Sequence, residues 1–491
     1  MENDIKSSIR AVEMMGFWYN IPAWKEKPGK DRLQMMMFSD GKMGSIAKMR
    51  AAAVLLLAPL VAAAAPLEVV SPQNGAVVPT LSAGQKAYVQ MPRKERVKYF
   101  ADSQKRKEMV KLGYYPEKVR LAWKGGAPGA EYTVKVTRKP DGKQFFTYTG
   151  TNTCVEVDNL EIARTYAWTV TGGGELSATF STEAIAPRLV RVPGVPNVRD
   201  LGGRIGLGGR RVRQGRVFRS AGLNDNAEGV YFTRDELAKA GLVTPKMLES
   251  EKKIKAHIAK YKGYQADPKT FPRSHKGWQA WAKRHPSEPV AAYFARRISD
   301  DEASLAKLFK VEKKRVPGKN RLDDATRSYL VDTLGIKSDI DLRSDKECYG
   351  MTGSPMGPSV TWFHYSSSAY AGMQSKTGKD AFKKVFAVFL DEKNYPIDFH
   401  CIAGQDRTGA VAFILNGLLG VAEEELYLDW EVTGFWNPHS SFNHARRFDK
   451  LVEGFMKKVP GANLHEKIEN YVLALGFTKA DIEKFRSMML E

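Results

Sequence analysis

Cys401 and Arg407 stand six positions apart in the run Cys-Ile-Ala-Gly-Gln-Asp-Arg, followed by Thr408 and Gly409. A thiolate and a guanidinium at this spacing suit attack on an anionic, oxygen-rich centre such as a phosphate. A free thiol has a pKa of about 8.5, so making it mostly thiolate at neutral pH takes about three units, roughly 4 kcal/mol. A helix N-terminus supplies about 0.3–2 kcal/mol. Hydrogen bonds and a nearby cation must supply the rest. The backbone N–H groups of Ile402, Ala403, Gly404, Gln405, Asp406 and Arg407 can converge as an anion nest. Arg407 adds a planar fork that matches two phosphate oxygens. Thr408 can donate its hydroxyl to the sulfur. The alternative is a buried cysteine at a strand end, with Arg407 on a solvated helix turn.

The spacing alone is weak, and the setting strengthens it. A strand-like apolar run ends at His400, a tight loop covers 401–407, and a helical stretch starts near Thr408. The series His-Cys-x-Ala-Gly-x-Asp-Arg-Thr-Gly resembles the phosphate loop of cysteine-dependent bacterial tyrosine phosphatases, some of which also act on phosphoinositides. Asn197-Val-Arg-Asp-Leu-Gly-Gly203 and Asp341-Leu-Arg-Ser-Asp-Lys-Glu347 are similar to two further segments of that family. The resemblance covers about 190–491 with an interruption. It implies phosphomonoester hydrolysis through a cysteinyl-phosphate, no cofactor and no metal, with Arg199, Asp200, Asp341 and Arg343 as possible cleft residues. A turn shaped by Asn197, Asp200 and the glycines is the alternative for the first segment.

Many members of the family carry a general-acid aspartate on a separate loop. Here Gly350–Lys379 contains no aspartate or glutamate. Asp406 becomes the candidate acid, since a neighbouring phosphate dianion would keep it protonated. It also occupies an N-cap position, where capping would lower its pKa. Asp345, Glu347 and Asp200 are substitutes. Gln405 stands where related sequences often carry lysine, which weakens the case for multiply phosphorylated lipids or inositol phosphates. Phosphoinositide or inositol-phosphate hydrolysis is therefore the second expectation, and an inactive phosphate-binding module the third. Cys348 is either a reversible disulfide partner for Cys401 or an ordinary buried thiol.

The elements that must position this loop read as α/β. A cysteine-phosphatase-type central sheet flanked by helices is expected over 187–491, preceded by a small all-β sandwich over 66–186. Short alternating strands at Val119–Trp123, Glu131–Arg138, Phe145–Tyr148, Cys154–Val157, Tyr166–Val170 and Ala178–Ser181, with a buried Trp123, resemble a fibronectin type III-like module. Arg93–Leu112 is a helical insertion in it, Cys154 a small core residue, and Pro187–Pro196 a linker. Phe382, Val385, Phe386, Phe389 and Leu390 mark one face of a helix over Lys379–Glu392. Thr478 with Asp481 marks a helix start. Residues 224–325 read as a basic, mainly helical insertion, either a cap selecting anionic substrates or a packed decoration with a solvated face.

The 491 residues carry 76 Lys/Arg against 55 Asp/Glu, a formal net charge of +21. Residues 246–321 hold 20 of the basic residues and 8 of the acidic ones. This favours anionic partners, with phosphorylated substrates first and no nucleic-acid motif to accompany the charge. Three scattered cysteines imply no disulfide framework. Residues 51–65, an Ala/Leu run after Lys48 and Arg50, read as a signal-peptide-like segment within a leader over 1–65, too short for a stable membrane span. Export, to the periplasm or outside a bacterial cell, is the expectation, with translation beginning near Met43 or Met49, the alternative being that residues 1–42 are an unusual extension.

Overall fold

The computed structural model describes residues 65–437, 439–440 and 442–491. The signal-like run and the alternative start positions lie outside the described residues. Among the described residues no helix is long and apolar enough to cross a membrane.

Eight strands build the first layer pair. Strands β1 (Ala65–Ser71), β3 (Val119–Gly126) and β6 (Cys154–Val157) form one sheet. The facing sheet runs β2 (Ala76–Val78), β8 (Glu175–Thr182), β7 (Thr165–Thr171), β4 (Tyr132–Arg138) and β5 (Gln144–Gly150). Alternation along β7 buries Tyr166, Trp168 and Val170, and these meet Trp123, Val134, Val136 and Phe180 between the sheets. Val155 and Val157 take the inward face of β6, so Cys154 lies half-buried on the outer face and not in the core.

The helices inserted between β2 and β3 span Ala83–Val89, Arg93–Ala101 and Ser103–Lys111. Their apolar residues Tyr88, Val89, Phe100 and Met109 belong to the main core of the α/β part. Arg96, almost fully buried, pairs with the equally buried Glu431 of that part. The charged insertion is therefore a shared wall, and residues 62–491 form one compact unit.

The stretch expected as a linker is also structural. Arg188–Leu189 forms β9, which pairs antiparallel with β10 (Arg199–Asp200). Val190, Val192 and Val195 alternate with the prolines and bury on the sheet. Sheet order is β15 (Thr361–His364), β14 (Ser338–Asp341), β16 (Ile397–His400), β11 (Val217–Ser220), β10, β9. The first four strands are parallel, and β11, β14 and β16 are buried on both faces, as expected of parallel strands covered by helices. Helix Lys376–Phe389 packs its Phe382, Val385, Phe386 and Phe389 on one side, beside the helix Arg407–Leu418, buried from Thr408 to Leu418. Thr478 and Asp481 cap the last helix, Lys479–Met489, reciprocally.

A two-stranded stem, β12 (Glu228–Tyr231) with β13 (Glu312–Val316), carries the long insertion. Helices Pro245–Ala266, Lys276–Arg284 and Val290–Leu308 close on a small core of their own built from Ile258, Tyr261, Phe271, Tyr293 and Phe294.

Candidate active site

Strand β16 ends at His400, and Cys401 opens the loop at the carboxyl edge of the sheet. The chain re-enters a helix at Arg407. Among the described residues, no protein group accepts from the amide N–H groups of 402–407. Gly404 turns the loop at a φ of +64°, where a Cβ would lie 2.3 Å from the Ser220 carbonyl oxygen. Only glycine allows that approach.

Burial raises the Cys401 pKa, but Arg407 and the hydroxyl and N–H of Thr408 outweigh it, so the thiol is held below its ordinary value. The Thr408 hydroxyl has no other partner, which leaves it to the sulfur. Arg407 makes a forked pair with Glu347, at 2.7 and 3.2 Å. Burial works against ionisation of Glu347, yet Arg407 and Ser344 hold its carboxyl below the usual range. A carboxylate so stabilised is a poor proton donor, which removes Glu347 from the candidate acids and makes it the resident counter-ion of the phosphate clamp.

The four expected cleft residues are buried and paired internally, and do not line a cleft. Arg199 is buried and reaches Asp429 and the side chain of Asn197, whose amide in turn donates to the Ala403 carbonyl at 2.8 Å. Asp200 is buried against Arg188 and the N–H groups of Gly202 and Gly215. Asp341 and Arg343 close a buried pair at 2.6 Å, and Arg343 also binds Asn224. Asp200 is thereby unsuited to the acid role, while Asp345 lies exposed, 3.9 Å from His364. A charged side chain buried in the sheet needs an internal partner.

Asp406 fits better. It precedes Arg407, is half-buried, and makes no capping bond to the helix. Its carboxylate accepts a hydrogen bond from the Tyr370 hydroxyl. Gln405 is buried, held by Ser440 and Asn437 in a polar set. Cys348 donates to Asp341 at 3.2 Å; burial and that carboxylate push it far above the thiol range, so it stays a thiol.

Sequence reasoning missed Tyr370, Asp429 and Arg219. Asp429 gathers Arg199, Arg204 and Arg219, and Arg219 also donates to the Gly404 carbonyl. Burial opposes its charge, but the three guanidiniums hold its carboxyl well below the usual range. Three guanidiniums surround Asp429, and Arg204 also lies 3.5 Å from Glu425. His400 is a separate buried cation among carboxylates: burial disfavours its cation, yet Asp341 and Asp339 push its pKa up to about 9.

Residues 190–242 and 315–491 match the model of the tyrosine phosphatase family, and the unmatched 243–314 falls within the helical insertion. A tyrosine-protein phosphatase of Nostoc commune is 30% identical over 137 residues, covering 24% of this chain and 46% of that protein. The chain thus spans about half the length of that relative. Among solved structures, the core catalytic domain of the PP-IP phosphatase SIW14 from S. cerevisiae, in complex with citrate, matches at 16% identity. It covers 26% of this chain and 77% of that one, with a TM-score of 0.19. A second Siw14 catalytic core gives 15%, 26%, 74% and 0.20. Overlaps this slight carry no argument about substrate.

Proposed function

We propose that this chain is a phosphoric monoester hydrolase that works through a cysteinyl-phosphate, with phosphotyrosine-type esters as substrates. The observation that carries the reading is a loop from Cys401 to Arg407 whose amide N–H groups at 402–407 have no acceptor among the described residues, with Arg407 and Thr408 acting on the Cys401 thiol. Arg407 leaves Glu347 to grip two equatorial phosphate oxygens. The Cys401 thiolate attacks phosphorus; the S–P bond forms as the ester P–O bond breaks, and Asp406 gives its proton to the departing oxygen. In the second step Asp406 takes a proton from water, whose oxygen attacks phosphorus. The thiolate then leaves toward the Thr408 hydroxyl. The loop N–H groups and Arg407 stabilise charge on the equatorial oxygens in both steps.

The neutral, inward-turned Gln405 offers no extra cation for a second phosphate, which favours singly phosphorylated aryl esters over inositol polyphosphates. The signal-like run at 51–65 supports export, and the two-sheet sandwich supports a fibronectin type III-like module. Release of phosphate from phosphotyrosine peptides, from phosphoinositides and from inositol phosphates is the test. Peptide turnover that Cys401→Ser abolishes is expected. Turnover unaffected by Cys401→Ser would refute the mechanism, and faster release from inositol phosphates would transfer the substrate assignment. Sequencing the mature N-terminus from cell fractions tests export.

A further inference from the structure

Tyr370 sits in the turn Tyr370–Gln374, in the acid-free segment before helix Lys376–Phe389. It is 7% exposed, and its φ of +53° is one that side chains rarely adopt. Strain of this kind marks a residue held for a reason other than local preference. Its hydroxyl donates to Oδ1 of Asp406. A phenol has one proton to give and an oxygen that accepts. Trp430 belongs to the same buried core as Tyr370, and its indole N–H makes no hydrogen bond among the described residues. The hydroxyl proton goes to Asp406, and one carboxyl oxygen of Asp406 is thereby fixed.

Trp430 is itself wedged. Gly409 allows the catalytic helix to approach, since a Cβ there would lie 2.8 Å from the indole Cδ1. Phe448 stacks on the indole with a centroid separation of 5.4 Å. Phe100 packs on it at 5.4 Å, and Phe100 belongs to helix Arg93–Ala101 of the sandwich insertion. Arg96 of the same helix is tied to Glu431, the residue after Trp430.

We propose that Tyr370 is a positioning residue for Asp406, and that the sandwich insertion sets its place through Phe100 and Trp430. The inference rests on the acid role of Asp406 argued above. On this reading the N-terminal module is a component of the proton-transfer arm.

The test compares kcat/KM for phenyl phosphate, whose leaving group needs a proton, with p-nitrophenyl phosphate, whose leaving group needs one far less. Tyr370→Phe keeps the ring and removes the bond. It is expected to reduce phenyl phosphate turnover about tenfold or more, with a severalfold smaller loss on p-nitrophenyl phosphate. Phe100→Leu should lower the phenyl/p-nitrophenyl ratio in the same direction by a smaller factor. Equal losses on both esters would overturn the Tyr370 role. An unchanged ratio in Phe100→Leu would overturn the part played by the sandwich. Asp406→Asn is run beside them: if it shows no leaving-group dependence, the acid assignment itself has failed, which is a different outcome from failure of Tyr370→Phe alone.

Discussion

At the level of single residues, Gly404 ties conformation to chemistry most directly. Its left-handed backbone and its 2.3 Å approach to the Ser220 carbonyl exclude a Cβ. Gly404→Ala is expected to lower stability by about 1–2 kcal/mol from the left-handed conformation alone. It should cut kcat/KM by about a hundredfold or more as the loop N–H groups move off the phosphate. Urea unfolding and steady-state kinetics on an aryl phosphate check the two effects separately; full activity would mean the loop tolerates displacement. Cys401, Arg407 and Thr408 were legible in sequence because their chemistry is local, set within eight consecutive residues. Tyr370 and Glu347 were not, because they meet Asp406 and Arg407 across 36 and 60 residues of chain. Only through-space packing gives them their roles. The lack of acidic residues over 350–379 pointed to Asp406, and it could also have directed attention to the tyrosine in that segment.

At the level of elements, β14 and β16 place four ionisable side chains in one buried row. Asp339 lies opposite Asp398 and Asp341 opposite His400. The runs Ser-Asp-Ile-Asp and Ile-Asp-Phe-His alternate like half-exposed strands, yet both faces are covered. The polar face is satisfied internally, with Ser220 on Asp398 and Ser354 on Asp339. Pattern alone cannot distinguish a solvated polar face from a buried, paired one. The consequence is a pH-dependent stability. The His400 pKa rises to about 9 in the fold, against about 6.5 in the unfolded chain. Its contribution is therefore complete below about pH 6.5 and is lost as pH rises through 9. Asp398 acts in the same direction at lower pH: burial raises it to about 7 from about 3.9 unfolded, so its contribution fades between those values. The urea midpoint should fall steadily from about pH 6.5 to 9, and His400→Asn should flatten that slope. A midpoint independent of pH in the native sequence would show that His400 is not held as the imidazolium.

At the level of the whole molecule, the two additions to the α/β core differ in how they are joined. The sandwich sheets close on their own core, but the helices inserted between them share the α/β core: Tyr88, Phe100 and Met109 sit among the residues that carry the catalytic helix. The sandwich cannot be separated without opening that core. The helical insertion is different. Its apolar residues pack on one another in a separate cluster, and it enters and leaves through the stem pairing Tyr231 with Glu312. Opposed residues in such a stem lie about 5 Å apart, a gap that a two-residue Asn-Gly turn closes. Replacing 233–310 by such a turn should leave the urea midpoint and the turnover of p-nitrophenyl phosphate within about twofold of the full chain, since no residue assigned to the loop chemistry is removed. Fourteen of the basic residues in 246–321 lie in the helices and turns up to Lys307, with only seven acidic ones. Their field should act on large anionic substrates and be screened by salt over about 10 Å at 0.1 M. The excised form should therefore lose the ionic-strength dependence of KM toward acidic phosphopeptides while keeping kcat on the small ester. Loss of small-ester turnover would instead make the insertion part of the active site, acting through the Ala227–Glu347 and Arg315–Lys346 hydrogen bonds that join its stem to the loop of the clamp carboxylate.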